Sequence, residues 1–572
     1  MDNFKKACKE ILKELKKGKI KSQRRFNYLK QKILRKYKGL DKIPKNTDIA
    51  NIASEGDRER LKEILTIKPS RTISGVAIVA VMAKPYKCPH KKPCIYCPGG
   101  PNSVFGSMPQ SYTGKEPATR RAIRNKFDPY LQVMNRLEHY AVMNKPLDKI
   151  ELIIMGGTFP SFPSKYQKEF VKYVFKAMND FSITFFKKNK LNFTKFSRFF
   201  ELDKDINDKE RVKRIHERLL KLKGKSTLKK EQEKNETANI RCVGLVLETR
   251  PDYAKLKHAK SMLELGCTKV ELGVQTIYDD ILKKIGREHT TQDVINATRT
   301  LKDLGFKICY HMMPGLPGVN KKQDIFALEA LFGMEGFMPD MLKLYPCMVL
   351  KGTRLYKLWK KKKYKPLTTK QAADLIVEIK KNIPPWVRIQ RVQRDIPTFM
   401  TEAGVDKTNL RQYIEKLMKK KKIKCRCIRC RESGQVLRNK KIKAGKIQLL
   451  TQHYLASEGN EFFISAEDVK NNILFGYCRL RFPYSFLSKE INQDTALIRE
   501  LHVYSPLVGI GKRSKGSYQH RGIGKGLLEE AEETARTYYK KKMVVISGVG
   551  AREYFRKLGY KKEGVYMVKR LS

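Results

Sequence analysis

Apolar positions along the chain fall into three regimes. Over residues 1–70 they recur at helical spacing, as at Ile11 and Leu15 and again at Phe26, Leu29 and Ile33, with lysines and arginines between them. From Gly75 onward, short apolar runs at 75–81, 150–155, 243–248, 269–274, 307–313 and 341–345 alternate with helical stretches. Six such runs separated by helices predict parallel strands that close part of the way into a (β/α)6 barrel. A polar, Lys-rich stretch over about 186–239 breaks this rhythm and reads as an inserted helical excursion with no obvious chemistry. From about Lys446 the pattern turns β-rich again, at 475–482 and 496–503, then runs through a glycine turn into an amphipathic helix and ends at 544–547. A second α/β domain follows from this. The expected division is a basic helical region at 1–70, the barrel at 71–358, a linker domain at 359–445 and the C-terminal domain at 446–572. Lysine runs at 360–363 and 419–422 bracket the linker.

Charge narrows the function classes. Lys and Arg number 121 against 58 Asp and Glu, a formal net charge of +63. A compact chain tolerates such self-repulsion best against a polyanion, and nucleic acid is the first candidate. Thermal adaptation alone would raise Glu together with Lys. The N-terminal region is therefore expected to face RNA. The sequence has no apolar run long enough to span a bilayer, and residues 1–21 lack the apolar core of a secretory signal, so a soluble, cytoplasmic protein without a membrane partner is expected. Twelve cysteines in 572 residues are too few for a disulfide scaffold. Half of them fall into two tight groups, which suggests metal ligation.

Cys88, Cys94 and Cys97 lie in KCPHKKPCIYCPGG, on the loop after the first predicted strand. Three thiolates can hold three irons of a 4Fe–4S cluster and leave the fourth open to chelate S-adenosylmethionine (SAM), or they can form part of a zinc site. The aromatic Tyr96 fits a residue packed on cluster or adenine. Polar residues at the ends of the later strands favour the cluster. Gly156, Gly157 and Thr158 follow the second, with backbone exposed for a SAM amino group, and Glu248 ends the third, where a carboxylate suits the ribose or ammonium. Gln275 ends the fourth, and His311 with Met312 the fifth. In α/β barrels this face carries the active site.

The second group, CRCIRC, places Cys425, Cys427 and Cys430 among basic residues and suits a structural Zn²⁺. Cys347, after the last predicted strand, is the chosen fourth ligand, with Cys309, Cys478 and His453 as alternatives. Arg426, Arg429 and Arg431 would then form a platform for RNA phosphates. Near the C-terminus, Gln519, His520, Arg521, Gly522, Ile523, Gly524 and Lys525 form a turn into a helix whose N–H groups and dipole suit a pyrophosphate. This loop matches the Q-x-x-G-x-G of GNAT acetyltransferases, which implies acetyl-CoA. Tyr554 is expected near the thioester, donating a hydrogen bond to its carbonyl.

Taken together, CIYCPGG, QSYTGKEP, GGTFPSFP, ETRPD, ELGVQT, HMMPGLPG, RVQRDIP and QHRGIGKGLLEEAE resemble the motifs of the catalytic subunit of Elongator. That family consists of radical SAM enzymes that modify tRNA and carry an acetyltransferase-like tail. The first cysteine spacing is longer than the general C-x3-C-x2-C, as it is in that family. Phe555 stands where the family often has a second Tyr. The resemblance implies that a SAM-derived 5′-deoxyadenosyl radical takes hydrogen from the methyl group of acetyl-CoA and that the resulting carbon radical adds to carbon 5 of the tRNA wobble uridine. Oxidation and thioester hydrolysis then leave 5-carboxymethyluridine. On this reading Glu248, Gln275, His311 and Tyr554 serve catalysis, and the chain acts alone or in an Elongator-like assembly. The competing readings are a protein-lysine acetyltransferase with a structural iron–sulfur domain and a non-enzymatic RNA-binding scaffold.

Overall fold

The computed structural model describes residues 3–20, 22–37, 39–40, 42–66, 75–205, 208–440, 444–504 and 522–571. Seven strands form its first sheet: β1 (Ala77–Met82), β2 (Lys149–Met155), β3 (Arg241–Thr249), β4 (Lys269–Gln275), β5 (Lys307–Met312), β6 (Met341–Leu344) and β7 (Arg388–Arg391). They are all parallel and pair in chain order, with β1 and β7 as the two edges, so the sheet is a half-barrel with an open seam. Six of the strands coincide with the predicted apolar runs. The seventh comes from the segment expected to be a linker, because RIQR is too short and too polar to register as an apolar run.

Strand period two decides what each side chain meets. On β4, Val270, Leu272 and Val274 are fully buried in the main core. Their alternates Lys269, Glu271, Gly273 and Gln275 line an interior cavity. Helices Pro129–Val142 and Ser164–Phe185 cover the sheet, the second burying Phe170, Val174, Phe181 and Phe185. The Lys-rich stretch is helical at Phe193–Phe199, Lys209–Lys223 and Leu228–Asn235. Its aromatic rings extend the main core, with Phe196 meeting Phe185 of the preceding helix edge to face at 5.8 Å.

The second sheet comprises β8 (Gln448–Ala456), β9 (Gly459–Asp468), β10 (Ile473–Phe482), β11 (Thr495–Val503), β12 (Lys542–Val545), β13 (Lys561–Glu563) and β14 (Tyr566–Arg570). The spatial order is β8-β9-β10-β11-β12-β14-β13, antiparallel except for the parallel β11–β12 pair. A helix, Ile523–Thr537, covers one face through Leu527, Leu528, Ala531 and Ala535.

The other face docks on the half-barrel. A Cβ on Gly548 would lie 2.1 Å from the Val243 carbonyl oxygen, and one on Gly550 2.5 Å from Arg241 Cβ, so the turn after β12 meets β3 backbone to backbone and only glycine fits. Around it, Glu236 of the inserted segment accepts from Arg552 at 2.8 Å and Arg556 at 2.5 Å. The N-terminal helices Asn3–Lys16, Gln23–Leu34 and Asn46–Ile52 enclose a separate small core of Ala7, Ile11, Leu15, Phe26, Ile33 and Ile49. No helix among the described residues is long and apolar enough to cross a membrane.

Candidate active site

A cavity of about 1000 Å³ occupies the half-barrel and opens along its seam. One end is walled by Cys88, Cys94 and Cys97 with Gly157, Thr158, Glu248, Gln275 and His311, the residues expected at the carboxyl ends of the strands. The other end reaches Tyr477, Glu500, His502 and Tyr504 of the second sheet. Residues of both domains therefore line one cavity.

The backbone at the strand ends is specialised. Gly156 and Gly157 take φ of 126° and 97°, and a Cβ on Gly157 would stand 2.8 Å from Gln110 Cβ. Gln275 is itself held at φ 74°, where the register between β4 and β5 shifts. That turn lets the residue leave the strand and still line the cavity.

The cysteine loop suits a cluster better than a single ion. A tetrahedral metal needs sulfurs within one coordination shell. Among the described residues two trios bring their ligand atoms within 4.8 Å of one another, namely Cys425, Cys427, Cys430 and Glu271, Cys309, His311. Cys88, Cys94 and Cys97 form no such trio, yet they border the same cavity, the wider spacing expected of ligands to separate irons. Burial raises Cys97, and it raises Cys88 against the opposing pull of the Arg250 and Arg287 guanidiniums.

Deeper in the half-barrel a charged network joins the expected His311 and Glu248 to Glu271 and Lys343, which lie outside the predicted set. Glu271 pairs with Lys343 and accepts from His311 Nε2 at 2.9 Å. Burial would raise its carboxyl, but Lys343, His311 and Lys269 together hold it well below the usual range. His311 is lowered by burial and by Lys343 against the pull of Glu271, which favours the neutral imidazole. Glu248 accepts from the Tyr112 hydroxyl at 3.1 Å, with Lys343 Nζ 3.9 Å away. Glu271 and Lys343 could have been found from period two, since Glu271 lies four residues before Gln275 on the same strand face. Tyr112 comes from a loop and leaves no such signal.

The second cysteine trio corrects one expectation. Lys380 Nζ lies 3.3 Å from Cys425 Sγ and 3.4 Å from Cys430 Sγ, and no Cys, His, Asp or Glu among the described residues completes the set. Cys347 is packed instead behind the first cysteine loop with Cys94 and Tyr96, its thiol beside the Tyr364 hydroxyl. Cys309 sits with Glu271 and His311, Cys478 in the second domain's core, and His453 on Asn460 at 2.8 Å. The arginine platform is also reduced. Arg431 is buried and donates to Glu467 at 2.6 Å, which leaves exposed Arg426 and cavity-lining Arg429.

Of the expected pyrophosphate loop, Gln519, His520 and Arg521 lie outside the described residues. Gly522 takes φ 82° immediately before the Ile523–Thr537 helix. Tyr554 Oη stands 2.9 Å from where a Cβ on Gly524 would be. Partial burial pushes its phenol up to about 12, so it is a donor at neutral pH. Phe555 points into the second core, which leaves one tyrosine facing the loop.

A parallel half-barrel with three cysteines after its first strand, joined to an acetyltransferase-type sheet, defines a radical SAM enzyme with a GNAT domain. Family models agree. Residues 84–329 match the radical SAM superfamily, 339–420 the radical SAM C-terminal domain, 438–560 the acetyltransferase (GNAT) family and 4–73 the ELP3 N-terminal domain. The radical SAM match implies a 4Fe–4S cluster and SAM, and the GNAT match implies acetyl-CoA. The chain is 45% identical over 565 residues to the tRNA uridine(34) acetyltransferase of Methanocaldococcus infernus, covering 98% of each. It is 38% identical over 553 residues to Elongator complex protein 3 of Homo sapiens, covering 96% of this chain and 93% of that one. The solved structure of the archaeal M. infernus Elp3 lacking residues 1–46 matches with a TM-score of 0.70 and 40% identity, over 87% of this chain and 100% of that chain. The chain belongs to the Elongator complex protein 3 family.

Proposed function

We propose that this chain converts the wobble uridine of tRNA to 5-carboxymethyluridine, using acetyl-CoA as the carbon source. The observation that carries this reading is the single cavity joining the cysteine loop to the second sheet. A lysine acetyltransferase would need no opening from its GNAT domain into a half-barrel. The naming of relatives as tRNA uridine(34) acetyltransferases and the charge of +63 support RNA as the substrate.

Cys88, Cys94 and Cys97 would hold the cluster, which with SAM supplies a 5′-deoxyadenosyl radical able to take a hydrogen atom from the acetyl methyl group. Gly156, Gly157 and Thr158 offer backbone groups to the SAM amino acid portion, while Glu248, steadied by Tyr112, and Gln275 offer side chains to its ribose or ammonium. Neutral His311 is anchored on Glu271 through its Nε2–H, which leaves its other ring nitrogen as a proton acceptor. In the second domain, residues 519–525 would bind the CoA pyrophosphate and Tyr554 would donate to the thioester carbonyl. Cys425, Cys427 and Cys430 would offer three thiolates to a structural Zn²⁺, whose fourth ligand is not a Cys, His, Asp or Glu of the described residues.

The test is mass spectrometry of tRNA nucleosides after anaerobic incubation with SAM, reductant and acetyl-CoA. The reading requires 5-carboxymethyluridine at position 34 from the native chain and none from Cys97→Ser. Consumption of acetyl-CoA with acetylated protein and unmodified tRNA would replace it with the lysine-acetyltransferase reading.

A further inference from the structure

Two cysteines of the first loop each accept from an N–H and the third has a guanidinium beside it, and these groups come from three separate parts of the half-barrel. Gln110 Nε2 donates to Cys97 Sγ at 2.9 Å. Arg287 Nη1 donates to Cys94 Sγ at 3.7 Å. The Arg250 guanidinium lies beside Cys88 and is clamped by Asp252, with Nε to Oδ1 at 2.9 Å and Nη2 to Oδ2 at 2.5 Å.

Several buried polar groups around the same wall have no hydrogen-bond partner in the protein. His90, between Cys88 and Cys94, is 6% exposed and lines the cavity, yet neither ring nitrogen is hydrogen-bonded. Arg250 Nη1 and Arg287 Nε are also buried and unbonded. Leaving a buried polar group without a partner costs about 1–3 kcal/mol. A neutral imidazole donates from one nitrogen, so His90, Arg250 Nη1 and Arg287 Nε put three unpaired donors on one wall, which is built to face something that accepts hydrogen bonds.

We propose that His90, Gln110, Arg250 and Arg287 form a donor shell that makes the cluster held by Cys88, Cys94 and Cys97 easier to reduce. Reduction adds a negative charge to an assembly that already carries three thiolates. N–H dipoles and guanidinium charge beside the sulfurs stabilise that added charge, and hydrogen bonds to sulfur are one of the controls on cluster potential. The shell assigns these four residues a positioning and tuning role distinct from SAM binding. It rests on the reading of the cysteine loop as a cluster site.

The experiment is an anaerobic redox titration of the full-length chain reconstituted with iron and sulfide, read by the EPR signal of the reduced cluster, with iron content measured alongside. A native chain that assembles no cluster would remove the underlying reading rather than the shell. With the cluster present, Arg287→Met, Gln110→Leu and His90→Phe should each keep their iron and lower the reduction equilibrium constant about tenfold, or ~59 mV for a one-electron couple. Retained iron with less than a twofold change in all three would overturn the proposal. Where a variant loses iron, Arg287→Lys or His90→Gln decides. Retained iron with a smaller shift in the same direction supports the shell, and loss of iron again shows that these residues only hold the loop.

Discussion

Two buried charged regions of this molecule differ in how completely their polar atoms are paired. Where the second sheet docks on the half-barrel, Arg481 and Arg499 are fully buried and every guanidinium nitrogen is bonded. Arg499 meets Asp340 at 2.6 Å and 2.9 Å, Glu461 at 2.9 Å and 3.2 Å, and the Phe306 carbonyl at 2.6 Å. Arg481 meets Asp303 at 2.6 Å and 2.8 Å, Glu461 at 3.1 Å, and the carbonyls of Ala456 and Ser457. Around the cysteine loop, by contrast, His90, Tyr96 Oη, Arg250 Nη1 and Arg287 Nε have no partner. Both regions bury charge at a desolvation cost. At the first, Arg481 and Arg499 recover that cost within the chain, with Arg479 Nη1 the unbonded exception, while the second leaves it for what enters the cavity.

Substitutions can break this contrast. The largest effect belongs to Cys97→Ser, for which 5′-deoxyadenosine and modified uridine should both fall below detection while tRNA binding and thermal unfolding stay near native. Unchanged product would end the cluster reading. Next is Arg499→Met at the joint, which takes from Asp340 its two shortest ion-pair bonds and leaves Glu461 with Arg481 and Lys302, and should cost about 3–5 kcal/mol in denaturant unfolding. His90→Phe removes a group that has no partner to lose, so the cluster-free chain should change by less than about 1 kcal/mol. Equal losses in these two variants would erase the distinction between the regions.

Smaller effects sharpen it. Tyr554→Phe deletes a phenolic donor beside the glycine turn, and loss of one such hydrogen bond predicts about a tenfold fall in kcat with little change in KM for acetyl-CoA. The smallest concerns pH. Burial pushes the Asp324 carboxyl up to about 7, against the pull of the Gly315 N–H that it accepts at 2.8 Å. Since the folded value exceeds the ordinary 3.8, the protonated form belongs to the folded state. Its contribution is full below about pH 4 and lost as pH rises through about 7. Asp324→Asn should therefore narrow the stability difference between pH 5 and pH 8 by about 1–2 kcal/mol, and an unchanged pH profile would count against it.

Much of the site was legible without coordinates because its chemistry is local. The three cysteines share one loop, and Gly157, Glu248, Gln275 and His311 each end an apolar run. β7 escaped notice because RIQR is polar and short, being an edge strand that faces the cavity through Arg388 and Gln390. Cys347, expected to join the CRCIRC trio, packs with Cys94 and Tyr96 instead. Proximity in sequence order to the last predicted strand said nothing about which wall the thiol would join.

The sequence by itself determined the two α/β units, the basic surface, the cysteine loop and the polar residues closing each strand, since these follow from periodicity, composition and spacing along the chain. Tertiary structure alone decided that both units open into one cavity, that Lys343 answers Glu271, that Arg499 answers Asp340 and Glu461, and that Gln110, Arg250 and Arg287 converge on three different sulfurs. Those partners are 72, 159, 38 and more than a dozen to nearly two hundred residues apart. Pairings at such separations are selected by how the strands pack and which charges must be compensated once water is excluded, and no local pattern encodes that choice.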